Sequence, residues 1–290
     1  MLDFYRYLFI KSSPKTYLLS KESLVAKVFA LFNQSGGVGK TTMTMNLGHL
    51  ISQRQKDDES LYRVLLIDMD PQGSLTSFNG FAPHELDETM YNALLSSQAP
   101  KVHTQHGYDI APANLQLSFA DMQLLSEMRR EERLKNCLRT MQSSYDVILI
   151  DCPPGLTLLS YMSLVASSYL LIPIQTEFKS AQATLNLLET TSRVLETGNP
   201  DLKVAGVMPT MYDKRINEAN DALELIRATF TDLKQYETGP FAGTMIYNPI
   251  PRRTDVAKAS SKRLPLAIFS PKQDALRPMN EIVDHLLSLS

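Results

Sequence analysis

The chain reads as an α/β fold, a doubly wound and mainly parallel sheet with helices on both faces. Three observations predict it. Short runs of β-branched and other apolar residues recur at 27–32, 63–68, 108–111, 147–151, 169–175 and 204–208. Between most of them lie stretches whose apolar residues have helical spacing, and that alternation means parallel strands covered on both sides. Directly after the first run comes a glycine-rich turn, Gln34-Ser35-Gly36-Gly37-Val38-Gly39-Lys40-Thr41-Thr42, which opens the first helix.

Taken in order, residues 1–24 show no clear period and contain Pro14 and several serines, so they read as an extension ahead of one domain spanning 25–290. The first strand, 27–32, leads into a helix over 41–53 with Met45, Leu47, Leu50 and Ile51 on its apolar positions. A charged loop at Lys56-Asp57-Asp58-Glu59 precedes the strand at 63–68. Spacing then predicts a helix at 86–95, a short strand at 108–111 and one long helical stretch over 115–142. Strands at 147–151, 169–175 and 204–208 are separated by helices at 157–166 and 180–197. A helix at 217–229, a short strand at 242–247 and a final helix at 273–289 complete the pattern.

Composition narrows the function. Apolar residues make up 43% and charged residues 21% of 290, which excludes a disordered, collagen-like or coiled-coil protein. With 29 basic and 31 acidic residues, a wholesale nucleic-acid coat is disfavoured, while a local basic patch stays possible. Two cysteines, Cys137 and Cys152, make no disulfide framework, suggest a reducing compartment, and read as small buried hydrophobes. No apolar run approaches the length that spans a membrane.

The glycine-rich turn carries the chemistry. Between a strand and a helix, Gly36, Gly37 and Gly39 let backbone N–H groups wrap an anion, and the helix N-terminus adds partial positive charge. Ser35, Val38 and Thr42 complete the cradle, Lys40 reaches the β/γ-phosphates, and the Thr41 hydroxyl is placed for Mg²⁺. Two acidic strand ends support a nucleoside triphosphate: Asp68-Met69-Asp70-Pro71 after one apolar run, and Asp151-Cys152-Pro153-Pro154 after another. Ligands of open α/β sheets sit at the carboxyl ends of strands, so the three motifs converge on one edge. Asp151 is placed to hold the Mg²⁺ through water, Asp68 to share in holding it, and Asp70 to orient or deprotonate the attacking water.

These motifs resemble those of the ParA/MinD family of deviant P-loop ATPases, from about Lys27 onward. Pro209-Thr210-Met211-Tyr212-Asp213 and Ile250-Pro251-Arg252 match the segments that border the adenine in ParA-type proteins, which makes Pro209, Thr210, Met211 and Pro251 nucleotide contacts by resemblance. The resemblance implies ATP and Mg²⁺ as cofactors and an ATP-dependent sandwich homodimer. It also implies slow, partner-stimulated hydrolysis, and cargo positioning on the nucleoid in the cytoplasm through an adaptor protein. One position departs from the family: where its loop carries a signature lysine, this chain has Ser35. That serine is similar to the McdA branch, ParA-type ATPases that distribute carboxysomes, and Lys179, just past the 169–175 strand, is the candidate replacement cation.

Basic residues thicken toward the C-terminal third, and Arg252, Arg253, Lys258, Lys262 and Arg263 are candidates for non-specific contact with double-stranded DNA. The same residues fit ordinary solvated helix faces. No appended helix-turn-helix is apparent ahead of the first strand. His103 and His106 read as loop residues without a metal role. Membrane attachment is disfavoured because residues 279–290 hold Glu281 and Asp284 and no Lys or Arg. Two other functions of related fold are disfavoured: this chain shows no substrate-pocket motif for an amide-forming ligase, and Cys152, directly after Asp151, does not match the cysteine positions of an iron–sulfur reductase.

Overall fold

The structure, a computed structural model, describes residues 26–179, 184–234 and 240–289. The proposed extension at 1–24 and the expected helix start at 180–183 lie outside them. Eight strands form one sheet in the order β3-β4-β2-β5-β1-β6-β7-β8, where β1 is Lys27–Leu31, β2 Val64–Asp68, β3 His103–Gln105, β4 Tyr108–Ala111, β5 Val147–Asp151, β6 Tyr169–Gln175, β7 Lys203–Thr210 and β8 Met245–Ile246. All pairings are parallel except the β3–β4 hairpin. From β1 the chain runs out through β2 to the β3–β4 hairpin, returns to set β5 between β1 and β2, and then continues on the other side through β6, β7 and β8. Such a reversal opens a crevice at the carboxyl ends of the central strands.

Alternation along each central strand divides the core into two layers. Val28, Ala30, Leu65, Ile67, Ile148 and Ile150 face one side, while Phe29, Leu31, Val64, Leu66, Val147 and Leu149 face the other. Because both faces are apolar, these strands read as continuous hydrophobic runs. The second layer is closed by α1 (Lys40–Ser52), α9 (Thr254–Ser261), α10 (Leu266–Phe269) and α11 (Leu276–Ser288). The first is closed by α3 (Met90–Ser96), α5 (Arg133–Arg139), α6 (Leu158–Val165), α7 (Thr184–Thr197) and α8 (Asn217–Lys234). Two short helices, α2 (Ser74–Phe78) and α4 (Ala120–Gln123), fall on either side of α3 in the sequence.

Two expectations are corrected. The stretch at 115–142 is not one helix: 3₁₀ turns at Leu115–Phe119 and Arg130–Glu132 alternate with α4 and α5. Its apolar spacing satisfies both helix types, but Arg129 takes a left-handed φ of 54° that no continuous helix accommodates. His103 lies on β3 rather than in a loop, and His106, at φ 51°, forms the hairpin turn, where its Nε2 donates to the Arg263 carbonyl at 3.0 Å.

At Gly206 on β7 a Cβ would run into the Tyr247 ring and lie 2.9 Å from the Met245 carbonyl oxygen. Tyr247 has little room to yield, since its hydroxyl is held at 2.7 Å by His285 Nδ1. Gly206→Ala should therefore cost about 1–3 kcal/mol through overpacking, read as a lower urea midpoint at unchanged m-value.

Candidate nucleotide site

The site is assembled by register. Leu31 pairs with Asp151 across β1–β5, and Asp151 with Asp68 across β5–β2, so the ends of three strands stand in one row. From β1 the chain enters the loop, which is positioned by Asn33: its Nδ2 donates to the Pro173 carbonyl at 2.7 Å, and its Oδ1 accepts from the Ser35 N–H at 2.9 Å. Gly37 and Gly39 take left-handed φ values of 75° and 94°, which a residue with a side chain would adopt only under strain. Gly39 is also the N-cap of α1, so the loop delivers its N–H groups onto the helix terminus.

Three tertiary links brace this loop. Thr210 Oγ1 donates to the Val38 carbonyl at 2.8 Å, the Gly155 N–H to the Gln34 carbonyl at 2.9 Å, and Gln34 Nε2 to Thr190 Oγ1 at 2.5 Å. Thr176 in turn donates through its hydroxyl to the Thr210 carbonyl at 3.2 Å, tying the end of β6 into the same brace. Sequence reasoning misses Asn33 and Gln34 as positioning residues; the one signal that could have found them is their place immediately before the glycines.

Lys40 is buried, and its ammonium donates to the carbonyls of Asn33 at 3.0 Å and Ser35 at 2.8 Å. Burial holds its pKa below the ordinary lysine value, against the raising effect of the Asp151 carboxylate. Asp151 is fully buried, and neither carboxylate oxygen has a hydrogen-bond partner among the described residues. Burial pushes its pKa well up, the neighbouring Asp68 adds to the rise, and the Thr41 hydroxyl opposes it without completing a well-formed hydrogen bond. An orphaned buried carboxylate beside a lysine and a threonine hydroxyl fits a hard divalent cation on oxygen ligands.

Asp68 is also fully buried, but its oxygens are committed. Oδ1 accepts from the Asp70 N–H at 3.1 Å; Oδ2 accepts from the Thr76 N–H at 2.9 Å and the Thr76 hydroxyl at 2.7 Å. Burial raises its pKa to about 7 in spite of those bonds. Asp70 is partly exposed at the head of the loop into α2, with Oδ1 accepting from the Gln72 N–H at 2.9 Å. Cys152 beside this row is buried, and burial pushes its thiol up to about 12, leaving it inert.

Pro209 and Thr210 close β7, Met211 follows them, and Pro251 is brought alongside by the Tyr212–Pro251 bridge and the 2.8 Å bond from the Ile250 N–H to the Pro209 carbonyl. Beside them an open cleft of about 440 Å³ is lined by Tyr212, Asp213, Lys214, Arg215, Pro251, Arg253 and Asp274. Lys179 lies in an exposed helical turn four residues past β6, with no hydrogen bond or ion pair to another described residue. The basic candidates Arg252, Arg253, Lys258, Lys262 and Arg263 are all exposed, and Arg253 is also held by both oxygens of Asp274 at 2.9 and 2.6 Å.

A buried acid whose folded pKa exceeds its unfolded value binds more protons when folded, so stability is greatest below the unfolded value and falls as pH rises. For Asp68 that fall spans 3.8 to about 7; Asp151 adds to it in the same direction. Asp151→Asn should thus raise the Tm of the nucleotide-free protein at pH 7.5, by about 2–4 °C per kcal/mol recovered, and flatten its pH dependence. A lowered Tm would show that the neighbours stabilise the carboxylate.

Comparison with known proteins gives the family of the chain. A family model described as an AAA domain (AAA_31) matches residues 26–204. The sporulation initiation inhibitor protein Soj of Bacillus subtilis is 35% identical over 252 residues, covering 86% of this chain and 93% of that protein. Among solved structures, a Mycobacterium smegmatis protein called cobyrinic acid a,c-diamide synthase, bound to an ATP analogue and magnesium, is 32% identical with a TM-score of 0.74, covering 91% of this chain and 95% of that one. The ATP complex of McdA from Cyanothece shares the fold, with a TM-score of 0.77 at 23% identity over 91% of this chain and 98% of that one. By the loop, the acidic strand ends, and likeness to relatives along most of its length, the chain belongs to the ParA/MinD family of P-loop ATPases.

Proposed function

We propose that the chain is a positioning ATPase that binds ATP with Mg²⁺, forms a sandwich homodimer, holds nucleoid DNA without sequence preference, and distributes a plasmid- or carboxysome-like cargo through an adaptor protein in the cytoplasm. The observation that carries the reading is a buried lysine, Lys40, held on the carbonyls of a glycine-rich loop within electrostatic reach of an orphaned carboxylate, Asp151. Lys40 exchanges its two carbonyl partners for phosphate oxygens, and the N–H groups of residues 35–42 wrap the same oxygens. Thr41 and Asp151 are the residues that would hold Mg²⁺, whose chemistry is to neutralise charge on the phosphates. Asp70, on its braced loop, orients the water.

Two ATP molecules facing each other bring together on the order of eight negative charges. Ser35 supplies no cation against them. We assign that role to Lys179, which is exposed, is unpaired among the described residues, and follows Thr176, itself linked through Thr210 to the loop. On the DNA-facing side, Arg252, Lys258, Lys262 and Arg263 contribute exposed cations around α9, and Arg253 joins them by leaving Asp274. Membrane attachment through the final described helix is disfavoured, because Met279, Ile282, Val283 and Leu286 of α11 are spent on the core.

The likeness to the protein called a diamide synthase favours a second reading, amide formation through a phosphorylated carboxylic acid. Turnover separates the two. A positioning ATPase hydrolyses ATP with no acid added, and a ligase releases phosphate only when an acid and an amine donor are supplied.

Lys40→Ala should abolish ATP binding in calorimetry and ATP-dependent self-association in sedimentation. Asp70→Ala should keep ATP bound while hydrolysis falls on the order of 10²–10⁴-fold. Lys179→Ala should bind ATP as a monomer yet fail to dimerise, and an unimpaired dimer would remove Lys179 from the interface. DNA retention should require ATP, ignore sequence and fall steeply with salt. Equal retention without nucleotide would leave the positioning reading without its switch.

A further inference from the structure

We propose that Asp68 and Thr76 form a buried bracket that positions Asp70, and that Asp68 serves the loop rather than the metal ion. The inference rests on the ATPase reading for its catalytic consequence, but the bracket itself stands on geometry. Thr76 Oγ1 is fully buried and makes two bonds in opposite directions: it donates to Asp68 Oδ2 at 2.7 Å and accepts from the Ala113 N–H at 2.9 Å. The Thr76 N–H adds a second bond to the same carboxylate oxygen. A single threonine thereby joins the end of β2, the start of α2 and the segment after β4.

The loop between the two bracket residues carries Asp70 and has little freedom left. Its N–H is fixed to Asp68 Oδ1, its carbonyl accepts from the Gly73 N–H at 2.9 Å, and the Met69 N–H donates to the Asp151 carbonyl at 3.0 Å. Gly73 turns the chain at a φ of 61° into α2, where an added Cβ would lie 3.0 Å from the Ala113 carbonyl oxygen. Asp70 is thus suspended between two anchors, Asp68 and Thr76, that bond to each other. Asp68 meets three N–H and O–H donors, whereas Asp151, one strand away in the same register, meets none among the described residues. Of the two buried carboxylates, Asp151 is the one with both oxygens unpartnered among the described residues, and so the one we assign to the cation.

Neither Asp68 nor Thr76 is a catalytic residue; both act through Asp70. Displacing a water-orienting group by about 1 Å costs on the order of a hundredfold in rate. Thr76→Val removes the hydroxyl at constant volume, and Thr76→Ser keeps it. With the full chain, kcat of Thr76→Val should drop about ten- to a hundredfold, its ATP affinity should stay within about twofold, and its Mg²⁺ half-saturation should not move. Thr76→Ser should regain most of the rate. Hydrogen exchange on the nucleotide-free protein provides a readout independent of turnover: amides of Asp70 and Gly73 should exchange about tenfold faster in Thr76→Val and at the wild-type rate in Thr76→Ser. A Thr76→Val protein with wild-type kcat, or with wild-type amide protection, overturns the proposal. So does an Asp68→Asn protein whose Mg²⁺ half-saturation rises several-fold while Thr76→Val leaves it unchanged, since Asp68 would then be a metal ligand. A wild-type chain that hydrolyses no ATP overturns the catalytic half along with the functional reading, and the exchange data still decide the bracket.

Discussion

Two carboxylates buried side by side at the edge of a hydrophobic sheet set the terms for the rest of this molecule. Asp68 and Asp151 are register partners on adjacent strands and both are fully inaccessible to solvent. Such a pair opposes its own ionisation, through desolvation and through mutual repulsion. The surrounding structure answers the two charges differently. Asp68 is met by Thr76 and by the backbone of Asp70; Asp151 is left with Lys40 and Thr41 nearby and no bond completed. In the reading proposed here, the first carboxylate organises a loop and the second receives a positive charge from outside the chain.

The remaining architecture keeps that edge in place. Hydrophobic layers on both sides of the sheet fix the strand register, and register aligns Leu31, Asp151 and Asp68. Outside the row, hydroxyl and amide side chains do the bracing. Thr210 reaches Val38, Thr176 reaches Thr210, and Gln34 reaches Thr190, so the glycine-rich loop is tied both to β6–β7 and to α7. Direct hydrogen bonds thus run from the glycine-rich loop through Thr210 to Thr176, three residues before Lys179.

What could be read from the sequence follows from which interactions are local. The strands at 147–151 and 169–175 have the limits that their apolar runs indicate, because a parallel strand covered on both faces is apolar along nearly all of its length. The phosphate loop was legible for a similar reason: its glycines, lysine and threonine lie within a few residues of one another. By contrast, α2 begins at a left-handed glycine, Gly73, and its first turn is held by Asp68 eight residues before Thr76, a bond that no apolar spacing signals. The break at Arg129 is a backbone conformation, and the row of apolar residues around it keeps the same spacing with or without a continuous helix. The unequal hydrogen bonding of Asp68 and Asp151 was likewise hidden, since it depends on Thr76, which Ala113 holds only after folding.

The central claim is that Asp151 is the carboxylate that receives the cation of a phosphate site while Asp68 is already satisfied. Calorimetric titration of ATP into the wild type and into Asp151→Asn, each with Mg²⁺ and with excess chelator, tests it most directly. The account predicts that Mg²⁺ tightens ATP binding to the wild type and that this gain disappears in Asp151→Asn. An Asp151→Asn protein that keeps the full Mg²⁺-dependent gain would contradict it.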